Sequence, residues 1–327
     1  MRLTVASRGK TVENAWDLAS QVTWSGDKRR AARTLSYRLA VSQLDPNLPA
    51  VECPVGAVTC LWDDDGSPLF LGDAVTRTLS DSSPTALITA HDRGRLLAGN
   101  DGTLKVRRET PETAVRRLCQ EYGIPVGTLA ATGVPVTRKF SGVDLWSIVT
   151  TLYTLASQQT GKQYLARFEW DALAVRERSD TDRSLVIRPR SNLLTSSTTE
   201  SIEDMVNSVG IYDRDGTRLS TVRDQDAVDL YGLLEQHITQ GEEDARAEAE
   251  ALLRDHGFTQ TVTVTCLGNT ALTTGRTVVV RQSVTGLSGV LWIESDKHVW
   301  DRGNYTTQLT LSLRNVMYTS ESGGELT

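Results

Sequence analysis

The sequence predicts a β-rich protein of the α+β class, with two β-barrel units and an α+β unit between them. The first observation is an alternation of apolar and polar residues, the period of a half-buried strand, in short segments before about residue 95 and after about residue 200. The second is a set of apolar residues at helical spacing between these regions. We therefore divide the chain into 1–95, 96–199 and 200–318, and we expect a polar tail, 319–327, to be frayed.

The first unit is predicted from short strands separated by one clear turn. Residues 33–41 and 56–62 alternate apolar with polar side chains, and 86–91 closes the set. The turn Asp63-Asp64-Asp65-Gly66-Ser67-Pro68 leads into a return strand that begins at Leu69. Asp-Gly predicts a hairpin here because glycine adopts a positive φ at little cost. Several strands at this spacing indicate a small barrel or sandwich.

The middle unit is predicted to carry two helices and two strands. Thr110 and Pro111 supply a capping residue and a proline at the first helical position, and Gly123 ends this helix. A second helix is predicted over about 143–158 and ends before Gly161. Strands at 163–170 and 173–178 complete a compact α+β unit.

The last unit returns to strands and contains one charged helix. Segments 201–212 and 218–224 flank the hairpin turn Asp213-Arg214-Asp215-Gly216. The helix is predicted over 242–256, and four strands follow at 260–267, 276–283, 290–298 and 305–316. We expect the two β-units to superpose as related barrels, with the α+β unit protruding from the first. A single continuous sheet would contradict this plan.

Composition places the chain among ordinary globular proteins and excludes several classes. It has 327 residues, 39% of them hydrophobic, and a net charge of −6 that is spread along the chain. No segment approaches the roughly 18 consecutive apolar residues of a membrane span, and the first residues lack the apolar core of a secretion signal. We expect synthesis in the cytoplasm. Four cysteines lie in three distant regions without zinc-site spacing. Cys53 and Cys60 could meet across a hairpin, but the cytoplasmic interpretation argues against a disulfide. All four are therefore expected to be small buried residues: Cys53, Cys60, Cys119 and Cys266.

Sequence motifs of catalysis and cofactor binding are not found. No GxGxxG, GxSxG or HExxH occurs, and Gly161-Lys162 lacks the rest of a phosphate loop. His91 and Asp92 are neighbours on a predicted strand, so their side chains point to opposite faces and do not form a dyad. The three aspartates before Gly66 lack the alternating spacing of a calcium loop. We expect no cofactor, no metal and no catalytic residue. A cell-wall hydrolase with paired carboxylates stays open as an alternative, because sequence cannot place such pairs.

One local cluster of positive charge stands out and consists of Lys28, Arg29, Arg30 and Arg33. Such a cluster can contact phosphates, so a nucleic-acid-binding barrel is a second alternative. Aromatic residues do not alternate with these charges, which favours a solvated or partner-facing loop. We predict a subunit interface in which this loop meets the acidic start of the charged helix in a neighbouring chain, at Glu242, Glu243 and Asp244.

Several segments together resemble a known protein family. They are 22–27 (VTWSGD), 33–35 (RTL), 90–92 (AHD), 110–114 (TPETA), 119–127 (CQEYGIPVG), 201–207 (SIEDMVN), 231–232 (YG), 266–269 (CLGN), 293–298 (IESDKH), 303–306 (GNYT) and 309–311 (LTL). Their order and spacing are similar to those of the baseplate hub family of contractile phage tails, in its XkdQ/YqbQ-type, late control D-like branch. The sequence departs from the family pattern at 130–139 and 171–190.

The resemblance implies a structural role without cofactor or catalytic residues. It implies a homotrimer whose two tube-like β-barrel units per chain form a pseudo-sixfold ring, which adapts a sixfold tail tube to a threefold spike. The implied partners are other copies of the chain, the tail tube or a tube-initiator protein, the central spike protein and other baseplate proteins. The implied location is a virion tail baseplate or a phage-tail-like particle, with no membrane anchor and no sequence-specific nucleic acid.

Overall fold

The predicted fold class is confirmed, since strands dominate and an α+β unit lies between two strand-rich parts. The computed structural model describes residues 1–7, 13–41, 51–80, 83–179, 183–241, 244–281 and 288–324. Glu242, Glu243 and residues 325–327 of the predicted tail lie outside this part of the chain.

The first β-rich part contains seven described strands and a 3-10 turn at Trp16–Leu18. The strands are β1 (Arg2–Ala6), β2 (Glu13–Asn14), β3 (Ala19–Asp27), β4 (Thr34–Ala40), β5 (Val58–Trp62), β6 (Pro68–Thr78) and β7 (Thr85–Asp92). Every second residue along β4 and β7 is buried, as the alternation predicts. The predicted hairpin joins β5 to β6, where Gly66 has a φ of +85°.

The middle unit surrounds one long buried helix. Its elements are α1 (Arg95–Ala98), β8 (Asp101–Glu109), α2 (Pro111–Glu121), β9 (Val126–Leu129), β10 (Val136–Asp144), α3 (Leu145–Thr160), β11 (Tyr164–Glu169) and β12 (Ala172–Glu177). Asp144 caps α3 by accepting a hydrogen bond from the Ser147 N–H, and Gly161 ends it with a φ of +72°. Because α3 is buried on nearly all sides, it forms the centre of the largest hydrophobic cluster of the described residues.

The last β-rich part contains a small inserted unit. Its elements are β13 (Val186–Ile187), β14 (Leu193–Ser201), β15 (Ser208–Tyr212), β16 (Arg218–Arg223), α4 (Gln225–Tyr231), β17 (Glu235–Thr239), α5 (Ala245–Asp255), β18 (Thr259–Leu267), β19 (Thr277–Arg281), β20 (Ser288–Asp301) and β21 (Asn304–Ser312). Among the elements from β15 to α5, the strands β15, β16 and β17 form a separate three-stranded sheet. These elements have a small core of their own, and we call them the small α/β unit. The strand predicted over 201–212 is therefore two strands, β14 and β15, in different sheets.

One sheet connects the two β-rich parts. Among the described residues, thirteen strands form a sheet whose main path is β14-β18-β21-β20-β3-β4-β7-β6-β5-β1-β2, with β19 and β13 branching from β20. The expected separation into two sheets is wrong, because the edge of β3 pairs with β20 and satisfies backbone groups that a free edge would leave open. The two parts nevertheless keep separate hydrophobic cores.

The predicted boundaries shift at two places. β13 and β14 belong to the last β-rich part, so the middle unit ends near residue 179 rather than 199. The expected fraying is wrong for residues 319–324. The Ser320 and Ser322 N–H groups donate to Thr154 and Thr151 of α3, and Gly324 exchanges two backbone hydrogen bonds with Lys139. These hydrogen bonds hold the segment against the middle unit.

Candidate assembly interface

Each β-rich part contains a block of four antiparallel strands in the same spatial order. The order is β3-β4-β7-β6 in the first part and β14-β18-β21-β20 in the last part, which are the first, second, fourth and third strands of each block along the chain. In both blocks a further strand, β5 or β19, precedes the third strand and pairs with its first half. The two parts thus repeat one strand topology. The continuous sheet contradicts the plan of two separate barrels, whereas the superposition of the two blocks stays a prediction.

The burial pattern supports the same equivalence. The second strand of each block turns alternate apolar side chains into its own core: Leu35, Tyr37 and Leu39 on β4, and Val262, Val264 and Cys266 on β18. In each block the second strand, β4 or β18, lies between the first and the fourth strand. The equivalence therefore extends from strand order to individual residues.

β3 and β20 form the seam between the two blocks. β3 pairs with residues 295–300 of β20, so that Gly26 lies opposite Asp296 and Trp24 opposite His298. This pairing begins just beyond a bulge at Glu294. The bulge frees the Glu294 side chain from the regular alternation of the strand.

Three parts of the chain meet in ion pairs at this bulge. Lys28 from the first β-rich part and Arg178 from the end of the middle unit both form ion pairs with Glu294. Both cations also donate to the Val316 carbonyl, at 2.7 Å from Lys28 Nζ and 2.6 Å from Arg178 Nη1. Burial lowers the pKa of Lys28, although Glu294 opposes this effect. The arrangement ties both β-rich parts and the middle unit together.

A second buried pair lies next to the first. Arg33 Nη1 donates to Asp296 Oδ1 at 3.0 Å, its guanidinium lies 4.1 Å from the centre of the Trp24 ring, and Asp296 is 2% exposed. Thr274 donates to the same carboxylate from its N–H and its hydroxyl, each at 2.6 Å. Burial alone would raise the pKa of Asp296, but Arg33 and His298 outweigh burial and hold this pKa well below its usual range.

The predicted interface residues separate into two groups. Lys28 and Arg33 point into the seam, where their charges already have partners within the chain. Arg29 and Arg30 are exposed, and so is Asp244, which caps α5 by accepting from the N–H groups of Arg246 and Ala247. The structure does not bring the positive loop and Asp244 together by an ion pair among the described residues. Contact between them across chains stays a prediction for Arg29, Arg30 and Asp244.

Arg178, Glu294 and Asp296 were not predicted as site residues. The available signal was weak: Asp296 and His298 occupy inward positions of a strand where apolar residues are the rule. A carboxylate at such a position indicates a buried partner cation. The sequence does not tell which of 35 lysines and arginines provides it.

The motifs rejected from sequence have structural roles. Asp92 is buried and accepts from the N–H groups of Arg33 and Gly94, while His91 Nδ1 lies 3.1 Å from the Thr34 hydroxyl. Burial raises the pKa of Asp92 to about 6. Asp65 accepts from the Ser67 N–H within the hairpin turn. Cys53, Cys119 and Cys266 are buried free thiols, as expected, and Cys60 is half-buried.

An open groove of about 820 Å³ lies between β10, α3 and α5. Three acidic residues line it, and two of them, Asp244 and Glu321, are exposed. Sugar hydrolysis uses a pair of carboxyl groups of which one is shielded from water, whereas Asp244 and Glu321 are both open to solvent. Among the described residues, no group of three or more metal-binding side chains comes together. None of the described helices is both long and apolar enough to cross a bilayer.

The open strand edges of the large sheet in the described part of the chain include those of β14 and of the end of β6. β14 pairs with β18 along its length, and no described strand pairs with its other side. The end of β6, residues 76–78, pairs with β7, and no described strand covers its other side. Open edges recruit further strands unless charges, prolines or bulges protect them. β14, with the sequence LLTSSTTES, has no lysine or proline.

Comparison with known proteins gives consistent matches over nearly the whole chain. A family model described as YQBQ-like matches residues 22–312. The phage-like element PBSX protein XkdQ of Bacillus subtilis (strain 168) is 21% identical over 310 residues, which cover 92% of this chain and 94% of that protein.

Solved structures show the same fold. A tail protein from Neisseria meningitidis MC58 is 15% identical, with a TM-score of 0.74 and 97% of each chain covered. The 43 kDa tail protein of prophage MuSo2 from Shewanella oneidensis is 13% identical, with a TM-score of 0.73, and covers 95% of this chain and 98% of that one. At these identities the likeness establishes the fold.

Proposed function

The chain belongs to the YQBQ-like family, and from this premise we propose that it is a structural subunit of a phage-type tail baseplate. In this role three copies form a hub ring that adapts a sixfold tail tube to a threefold spike. Its partners are then other copies of itself, the tube or a tube-initiator protein, the spike and other baseplate proteins. The chain acts through contact surfaces rather than by catalysis.

The observation that carries this proposal is the repeated four-strand block. A chain with two equivalent blocks presents six such blocks when three copies surround an axis. Six similar units match a sixfold partner on one side, while the three chains match a threefold partner on the other. The names of the matched relatives, a phage-like element protein and two tail proteins, support the same role.

The test is cryo-electron microscopy of a tail particle that contains this chain. We expect a threefold ring between tube and spike, with six four-strand blocks around a central channel. A sixfold, twofold or monomeric placement would contradict the hub role. Purified chain incubated with peptidoglycan should release no product, and turnover that is lost on mutating one carboxylate would support the hydrolase alternative instead.

A further inference from the structure

We propose that β14 of one chain pairs with the end of β6 of a neighbouring copy and continues the sheet from chain to chain. This inference rests on the proposed ring and names the strands that close it. It is derived from the seam inside the chain, where the first strand of one block already pairs with the third strand of the other.

The internal seam shows how one strand can hold two neighbours on the same side. The first half of β20 pairs with β19, and Ile293 exchanges two further backbone hydrogen bonds with Gly275 and Arg276. Beyond the bulge at Glu294, the second half of β20 pairs with β3. The bulge separates these two neighbours.

β6 repeats this pattern up to the bulge. Its first half pairs with β5, and Ala74 exchanges two backbone hydrogen bonds with Gly56 and Ala57, as Ile293 does with Gly275 and Arg276. Gly56 and Gly275 both have a positive φ, of +86° and +89°. A bulge at Val75 corresponds to that at Glu294. Beyond this bulge, the side of β6 that corresponds to the β3 site has no described strand.

β14 is the strand that corresponds to β3. In each block, the residue just before the bulge of the third strand lies opposite a residue of the fourth strand, which in turn lies opposite a residue of the second strand. This residue of the second strand is Leu35 in the first block and Val262 in the last block, so the two positions are equivalent. Trp24 lies opposite Leu35, and Thr198 lies opposite Val262. Trp24 and Thr198 are therefore equivalent positions, and so are Gly26 and Glu200.

We now apply the register of β3 and β20 to β14 of one chain and the end of β6 of its neighbour. In this register complementary residues lie opposite each other. Arg77 of one chain comes opposite Glu200 of the next, and Thr78 comes opposite Thr199. Opposite charges on facing strand positions stabilise a pair of strands. Arg77 is exposed and has no ion-pair partner among the described residues, while Glu200 is exposed and accepts only from Gln260 of its own chain.

A second complementarity lies at the bulge. The Lys28–Glu294 ion pair of the internal seam corresponds to Ile202 and Val75 between chains. Ile202 is 38% exposed in the single chain, and Leu79, two residues beyond Arg77, is 55% exposed. Their burial against a neighbouring copy removes apolar surface from water. The register was derived from backbone pairing alone, so these matches of charge and polarity support it independently.

The occupant of each edge is a second copy because this chain carries both halves of the contact. The two edges belong to different blocks, so their pairing is head to tail, the type of contact that builds rings. Pairing of β14 with another β14 would instead bring the same surface of two copies together and would give a twofold dimer.

Cysteine cross-linking tests the register. Thr78→Cys and Thr199→Cys are introduced into one chain, and the protein is oxidised at increasing concentrations. We expect a ladder of covalent species that ends at three chains, because directly opposite residues bring their Cβ atoms within about 5.5 Å. The control, Thr78→Cys with Ser197→Cys, retains the four native cysteines and shifts the register by two residues.

Each outcome decides the inference. Absence of a ladder, an equal ladder in the control, or cross-linking of the Thr199→Cys single variant to itself would overturn it. A threefold ring in the particle with β14 and β6 apart would also overturn it and leave the proposed function intact. A ladder that extends beyond three chains would support the strand pairing and contradict the trimeric hub.

Charge exchange supplies a second readout. Arg77→Glu and Glu200→Arg are each expected to weaken association of the chains by about two- to fivefold, as measured by sedimentation. The double variant restores a pair of opposite charges and should recover most of the loss. Additive losses in the double variant would overturn the register.

Discussion

Asp296 shows how a single buried charge holds the seam. Its carboxylate accepts hydrogen bonds from Arg33 and from both donors of Thr274, while Arg33 also stacks on Trp24. Taking these charges out of water is costly, and the hydrogen bonds between them offset that cost only while both partners are present.

Replacing Asp296 with Asn is therefore expected to destabilise the protein strongly. The variant leaves the Arg33 guanidinium buried without a counter-charge, which costs about 3–5 kcal/mol of unfolding free energy. Chemical denaturation measures the loss. The matched control is Glu109→Gln, which removes an ion pair with the 48%-exposed side chain of Arg117 and should cost about 0–1 kcal/mol. Equal losses in the two variants would contradict the role of the seam.

Asp92 predicts a pH dependence of opposite sign to that of an ordinary paired carboxylate. Burial raises its folded pKa to about 6, above its unfolded value, so the unfolded chain releases this proton first as the pH rises. Its contribution to stability is present below about pH 4 and is lost as the pH rises through 6. Asp92→Asn keeps an acceptor for the Gly94 N–H and should abolish this loss.

The measurement compares unfolding free energies of the wild type and Asp92→Asn at several pH values from 4 to 7. Other titrating groups are common to both proteins and cancel in the difference. The variant should gain stability relative to the wild type by about 1–3 kcal/mol across this window. A difference that does not change with pH would show that Asp92 ionises as readily in the folded chain as in the unfolded one.

At the scale of elements, the C-terminal segment illustrates how backbone groups find partners without a regular strand. Thr151 and Thr154 lie on the buried helix α3, and their hydroxyls accept from the N–H groups of Ser322 and Ser320. A polar, Gly-rich sequence gives no local sign of this docking, because its partners are more than 160 residues away.

Hydrogen exchange should detect this docking directly. We expect the amides of Ser320, Ser322 and Gly324 to exchange more slowly than those of a free chain end. Thr151→Val removes the acceptor and should accelerate exchange at Ser322 in particular. Thr160→Val, at the exposed end of the same helix, is the control and should leave Ser322 unchanged. Unprotected amides in the wild type would favour the frayed tail that the sequence predicts.

Sequence patterns predicted several elements that have local signals, although β1 and β8, which also alternate, were not predicted. β4, α2, α3 and the turn at Gly66 follow from alternation, helical spacing and turn residues, and the structure confirms them. β3 was not predicted because only Val22 and Trp24 mark its alternation, and a bulge near Gln21 shifts its pairing.

The seam was inaccessible to sequence for another reason. A run of charges usually marks a solvated surface, yet Lys28 and Arg33 find their partners more than 260 residues away. Pairing between distant strands likewise leaves no local pattern, so the continuity of the sheet could not be predicted. The sequence indicated that the two β-units are related, but it could not predict the strand order that their two blocks share.

At the scale of the whole molecule, the two blocks differ mainly in what connects their first two strands. β3 and β4 are joined by residues 28–33, whereas β14 and β18 are joined by residues 202–258, which contain the small α/β unit. This unit has its own sheet and its own core around Val209 and Ala249. The repeated topology therefore indicates that the unit is an insertion into a block that can form without it.

The insertion predicts a deletion variant that keeps the large sheet. Replacing residues 204–256 with a short Gly- and Ser-containing loop should leave a folded protein, because the equivalent connection in the first block needs only residues 28–33. Circular dichroism and thermal unfolding should show a cooperative, strand-rich protein. The control removes a segment of similar length, residues 111–160, which carries much of the middle unit's core, and should prevent folding. If the first deletion also unfolds the chain, the small α/β unit is an integral part of its block, and the equivalence of the two blocks fails at this connection.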